Sequence, residues 1–211
     1  TLFWTSLLVF WTFLSAGQEA TSTLAPSTPK KLENTQPPLT DATVAPTNWN
    51  FGVSLETGVG LNAMGSTEAH DLATVNLHAG RLLTWNQSAL GPFPRSVELG
   101  LELWSGAEYR PDTHYIVGLT PILRYRFLAD SRWTPFLDAG AGVTATDIRY
   151  PDLSTVFQFN LQAGLGLEWK WRPNISVIVE TRYLHLSNAH IDTPNLGVNA
   201  LMFSGGVIWF F

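Results

Sequence analysis

The stretch Phe157-Gln158-Phe159-Asn160-Leu161-Gln162-Ala163-Gly164-Leu165-Gly166-Leu167-Glu168-Trp169 decides the fold. Its odd positions are apolar, and its even positions are polar or glycine. A period of two belongs to a strand with one greasy face and one polar face. The run exceeds the roughly 9–11 residues that a tilted strand needs to cross a bilayer. The same alternation recurs upstream, where Val97, Leu99, Leu101 and Leu103 interleave with Ser96, Glu98, Gly100 and Glu102. Working outward in both directions, the period predicts strands over 49–62, 70–86, 95–108, 113–128, 133–147, 155–171, 173–188 and 199–211.

Alternation alone does not separate a barrel in a membrane from a soluble one, but three further features do. Aromatic residues gather at segment ends, among them Trp49, Trp85, Trp104, Tyr109, Trp133, Trp169 and Trp171, where a membrane barrel places its interfacial girdles. The polar face mixes glycines with charges, Arg124 and Arg126 against Glu98, Glu102 and Asp138, as a narrow interior filled by ion pairs requires. The last residues, Trp209, Phe210 and Phe211, resemble the terminal aromatic strand that marks outer-membrane barrels for assembly. The expectation is an all-β chain, an eight-stranded antiparallel transmembrane β-barrel over 48–211. So small a barrel leaves no room for a pore. An even strand count puts both barrel ends in the periplasm and the end of the seventh strand at the cell surface.

Composition narrows the function classes. With 14% charged residues and a net charge of −5, the chain is not built for nucleic acid. Cysteine is absent, which removes disulfides, thiolate nucleophiles and cysteine metal sites. Leu2 to Leu14 followed by Ser15, Ala16 and Gly17 reads as the apolar region of a signal peptide, so residues 1–20 are expected to be a signal-peptide fragment, cleaved near Gly17 or Ala20. A retained anchoring helix is the alternative, for which the run is short. Residues 21–47, rich in Thr, Pro, Ser and Ala, have the composition of a disordered linker.

The seventh segment carries the candidate chemistry. Ile175, Val177, Val179, Thr181, Tyr183, His185 and Ser187 share one face, and its apolar start marks that face as lipid-facing. Two residues apart on a strand, His185 and Ser187 point the same way, about 7 Å apart, in reach of each other as base and nucleophile. Glu180 and Arg182 fall on the opposite face and read as interior packing. Spacing alone also fits polar residues resting among lipid head groups.

The string from Tyr183 to Asn199, Tyr-Leu-His-Leu-Ser-Asn-Ala-His-Ile-Asp-Thr-Pro-Asn-Leu-Gly-Val-Asn, resembles the signature of the lipid A 3-O-deacylases. In that family a His-x-Ser-Asn-Ala segment precedes Pro-Asn-x-Gly and an acidic residue two positions after the glycine. The resemblance implies Ser187 as nucleophile, His185 as general base, Asn195 as oxyanion-hole donor with Asn188 a second candidate, and Gly197 as the turn residue. It implies no cofactor and no metal, and as partners the membrane and lipid A or lipopolysaccharide of the outer leaflet. A homodimer is left open. The family's acid falls on Asn199, an amide, which begins the last strand on the outward face opposite His185. Asp192, in the connecting loop, is the other candidate for the acid, and His190 reads as a surface histidine. The implied activity is hydrolysis of the 3-O-linked acyl chain of lipid A by a serine esterase. Two alternatives stay beside it: a catalytically silent lipid A-binding or structural outer-membrane barrel, and a soluble barrel holding a hydrophobic ligand inside.

Overall fold

The computed structural model describes residues 48–83, 95–129, 131–149 and 151–211. The expected signal peptide and linker lie outside these residues, as do Trp85 and the end of the second predicted strand. Eight strands form, β1 (Trp49–Gly60), β2 (Asp71–Leu83), β3 (Arg95–Arg110), β4 (His114–Phe127), β5 (Trp133–Thr146), β6 (Phe157–Arg172), β7 (Ile175–Ser187) and β8 (Val198–Phe210). Each pairs antiparallel with its neighbours in sequence, and β8 closes on β1 from Asn50↔Phe210 to Gly60↔Ala200, giving a closed barrel. Closure leaves no unpaired sheet edge, which a strand surrounded by lipid could not tolerate.

The period of two becomes an inside and an outside. Leu99, Leu101, Leu103, Leu161, Leu165 and Val179 are exposed on the outer wall, while Glu98, Glu102, Asn160, Gln162, Glu168 and Glu180 are buried inside. A buried charge is tolerated only with partners, and here they are present. Arg124 donates to Asp138 at 2.7 Å and to Glu180 at 3.3 Å; Arg182 donates to Glu102 at 2.6 Å and Glu180 at 2.7 Å. Arg126 bridges Glu98 at 2.6 Å and Glu168 at 2.8 Å. The ion pairs expected for Arg124 and Arg126 and the interior placement of Glu180 and Arg182 are therefore present. Glycine makes room for the larger groups: a Cβ on Gly100 would lie 2.5 Å from the His78 ring.

One expectation is corrected. Trp104 does not join an interfacial girdle; it is buried inside the barrel, where its indole N–H donates to Thr120 Oγ1 at 2.9 Å. Its position has the parity of Glu102 and Glu98, so the alternation that sends Leu103 outward sends Trp104 inward. Trp49, Trp133, Trp171 and Tyr109 do lie exposed near strand ends, and Trp133 stacks on Trp169 at 5.8 Å.

The interior is layered. Trp104, Ile116, Leu153, Leu184, Leu186, Val198 and Met202 belong to an apolar cluster toward the rim remote from the start of β1 and the end of β8. The Arg124 and Arg182 ion pairs lie below it, and Phe136, Ile178 and Ile208 form a smaller apolar cluster in which Phe136 lies opposite Arg126 and Ile178 opposite Glu168. Leu184, Leu186, Val198 and Ala200 come from β7 and β8, so these two strands are held from within where their outer faces carry the candidate site.

Candidate active site on the outer wall

Tyr183, His185 and Ser187 stand half-buried on the outward face of β7, between buried Leu184, Leu186 and Asn188. Register sets their neighbours: His185 lies opposite Asn199 on β8 and Leu161 on β6, and Ser187 lies opposite Phe159. His185 Nδ1 sits 2.8 Å from Asn199 Oδ1, so the expected pairing across the hairpin is present as geometry. The Tyr183 hydroxyl donates to the same oxygen at 2.6 Å. No hydrogen bond joins Ser187 Oγ to the imidazole among the described residues, although both side chains project from one face.

Asn199 faces outward by parity yet is only 1% exposed. The segment between β1 and β2 covers it. Leu61 N donates to the Asn199 carbonyl at 2.8 Å, and Asn199 Nδ2 donates to the Ala63 carbonyl at 2.7 Å. Ala63 to Ser66 is a tight turn closed by Ser66 N donating to Ala63 O at 3.1 Å, with left-handed φ at Met64 (+53°) and Gly65 (+102°). Such a turn takes glycine readily at its second central position. The loop therefore folds over the barrel wall onto β8.

The 188–197 connection is braced internally. Asn195 Oδ1 accepts from Asn188 N at 2.8 Å, and Asn188 Nδ2 donates to Ser154 Oγ at 2.9 Å and to the Asp192 carbonyl at 3.0 Å. Asn188 thus commits its amide hydrogens within the loops, while Asn195 Nδ2 makes only a 3.4 Å approach to His190 Nδ1 and is the freer donor. Asp192 is exposed, and its carboxylate accepts from Thr193 N at 2.8 Å; the imidazole turns to Asn199 instead. Gly197 has φ +86°, and a Cβ there would lie 2.9 Å from His185 Cε1, so glycine lets the loop pass close to the ring.

Asp152, in the loop between β5 and β6, fastens this connection to the rest of the rim. Its backbone carbonyl accepts from Leu196 N at 2.9 Å and Gly197 N at 3.3 Å. Its carboxylate accepts from Thr67 N at 2.8 Å, Glu68 N at 3.1 Å and His70 Nε2 at 2.9 Å, while His70 Nδ1 lies 2.5 Å from Glu108. Burial pushes the Asp152 carboxyl up, but the hydrogen bonds from Thr67, His70 and Glu68 outweigh it and hold the pKa below the ordinary value. Burial likewise lowers His70, and its bonds to Glu108 and Asp152 more than reverse this, leaving its pKa raised.

Sequence reasoning placed Tyr183 on this face without giving it a role, and it missed Ala63, Ser66 and Asp152 altogether. Among the described residues no group of three or more His, Asp or Glu side chains could hold a metal ion.

The family of the lipid A 3-O-deacylases (PagL) matches residues 73–207, well over half of the chain and all of β7 and its loop to β8. No curated protein matches the chain. Among solved structures, that of the outer-membrane enzyme PagL covers 74% of this chain and 97% of its own, at 22% identity and a TM-score of 0.51. Neisserial surface protein A covers 79% of this chain and 99% of its own, at 15% identity and a TM-score of 0.56. At such identities the two structures show a shared outer-membrane barrel fold.

Proposed function

The chain belongs to the lipid A 3-O-deacylase (PagL) family and is a bacterial outer-membrane barrel, and on that premise we propose that it is a serine esterase that removes the 3-O-linked acyl chain of lipid A in the outer leaflet. The observation that carries the reading is the bond between His185 Nδ1 and Asn199 Oδ1 at 2.8 Å, on the lipid-facing wall two residues from Ser187. An imidazole that donates from Nδ1 presents a free lone pair at Nε2, as a base for a serine hydroxyl must.

In this reading Ser187 Oγ attacks the ester carbonyl and His185 Nε2 takes its proton. Asn195 Nδ2 receives the oxyanion, with Asn188 the second candidate, and one such donor supplies about 3 kcal/mol of transition-state stabilisation. The proton then passes from His185 to the leaving sugar oxygen. Water hydrolyses the acyl-serine by the same route, giving a free 3-hydroxy fatty acid and regenerating Ser187. A site on the outer wall suits a substrate that diffuses in the plane of the membrane, since the ester reaches the serine without leaving the bilayer.

The test is release of 3-hydroxy fatty acid from lipopolysaccharide by the detergent-solubilised protein. Release by wild type, abolished in Ser187→Ala and His185→Ala with the barrel still folded, is the expected result. A second reading, a silent lipid A-binding barrel, is favoured by the amide at Asn199 and by the missing Ser187–His185 hydrogen bond. Prolonged incubation of wild type without release, alongside retained binding of lipid A, selects it.

A further inference from the structure

The amide at Asn199 takes its meaning from what surrounds it. In the serine proteases, replacing the triad carboxylate by an amide costs about four orders of magnitude because the ring is left in the wrong tautomer. That loss depends on which end of the amide faces the imidazole. At Asn199 the choice is settled by a backbone carbonyl. Ala63 O, 2.7 Å away, can only accept, so it must face the amide's NH2 group. Ser66 Oγ, 3.4 Å from the same nitrogen, lies within 3.1 Å of the Leu61 and Ala63 carbonyls, which claim its single hydrogen and leave it an acceptor. The amide oxygen is therefore turned to His185 and Tyr183.

We propose that the Ala63–Ser66 turn is a positioning element for the reaction: its Ala63 carbonyl fixes the orientation of the Asn199 amide, which fixes the Nδ1–H tautomer of His185. Tyr183 is a second donor to the same oxygen and reinforces that orientation. Asn199 is then an orienting amide matched to its loop. A carboxylate at this position would set an oxygen against Ala63 O at about the distance the nitrogen now occupies, two acceptors with no proton between them unless the acid is protonated. The inference rests on the reading of His185 as the general base, but its structural half stands apart from activity.

The test has two arms. In the first, the protein is labelled with 15N-histidine in detergent, and the His185 signals are assigned by their loss in His185→Gln. A neutral ring with protonated Nδ1 and bare Nε2, at least tenfold over the other tautomer, is expected in wild type, and a mixture is expected in Gly65→Val, which strains the turn. An Nε2–H ring or a mixture in wild type overturns the proposal, as does an unchanged tautomer in Gly65→Val. In the second arm, Asn199→Asp is expected to lower kcat at least tenfold at neutral pH with KM within twofold, and the deficit should shrink as pH falls and the acid regains its proton. A kcat equal to or above wild type overturns the proposal. If wild type releases no fatty acid, the esterase reading fails, while the tautomer arm still decides whether the turn orients the amide. Retained heat-modifiable migration in electrophoresis identifies variants that remain folded.

Discussion

Replacing Gly197 by alanine should damage catalysis without unfolding the barrel. Gly197 has φ +86°, where an L-residue costs about 1–2 kcal/mol. The added Cβ would also stand 2.9 Å from His185 Cε1, against an ordinary carbon–carbon contact of about 3.5–4.0 Å, and a tight 3.1 Å from the Leu186 carbonyl oxygen. Leu186 O belongs to β7 and is held by its ladder, so the imidazole is the neighbour that can yield, by roughly half an ångström to one. Misplacement of a catalytic group by about 1 Å can reduce turnover on the order of a hundredfold. The expected result is a kcat lower by about ten- to a hundredfold with KM little changed, measured as 3-hydroxy fatty acid released per folded barrel. The eight closed strands should survive, because the strain is confined to the 188–197 loop. An unchanged kcat in folded Gly197→Ala would refute the placement of His185 against this turn.

Other parts of the molecule give independent tests. Arg126→Met leaves Glu98 and Glu168 without their shared guanidinium and should destabilise the barrel by about 3–5 kcal/mol, read as a lowered urea midpoint in lipid vesicles, while the folded fraction keeps its turnover. Trp104→Phe removes the indole donor to Thr120 and should cost about 1 kcal/mol or somewhat more in the same assay; an unchanged midpoint would contradict the inward placement of Trp104. The Asp152 junction should depend on pH in two directions. His70, raised by its carboxylate partners, contributes fully below its unfolded value of about 6.5 and loses that contribution as pH rises through its higher folded value. Asp152, lowered, contributes above about 3.9 and loses it as pH falls through its lower folded value. Protection of the Leu196 and Gly197 amides against hydrogen exchange should therefore be greatest between these limits and decline on either side, with the alkaline decline absent in His70→Gln.

The parts of this architecture legible in the sequence are those that repeat locally. Alternation in β3 and β6 placed Glu98, Glu102, Gln162 and Glu168 inside and their neighbours outside, because a strand has no freedom to do otherwise once one face meets lipid. The same rule, carried one residue past Leu103, puts Trp104 inside; grouping it with the girdle followed residue type over parity. The juxtaposition of His185 and Asn199 was readable because a hairpin brings these positions, fourteen apart, into register. Ala63 and Asn199 touch across 136 residues of chain, and the Ala63 group concerned is a backbone carbonyl, identical in every residue. No side-chain pattern announces such a contact. Asp152 shows the same difficulty: a lone loop acid reads as solvated until His70 and Thr67 are seen to close on it.

A neutral orienting group also fits the place it occupies. Asn199 is buried between β8 and the Ala63 turn on a wall that faces lipid, and a carboxylate there would need compensation for lost hydration that the surrounding acceptors do not supply. An amide loses less on burial, and this one places its oxygen on two donors and its nitrogen on a carbonyl. What it gives up is charge: an amide dipole stabilises the imidazolium formed during attack less than a carboxylate does. The expected signature of the proposed esterase is a correctly oriented base with modest turnover, in which loss of Tyr183 or displacement of the turn lowers kcat by disordering the amide. In the proposed mechanism an amide weakens a triad in two ways, the wrong tautomer and the missing charge, and the proposed anchoring of Asn199 on Ala63 O addresses the first and leaves the second.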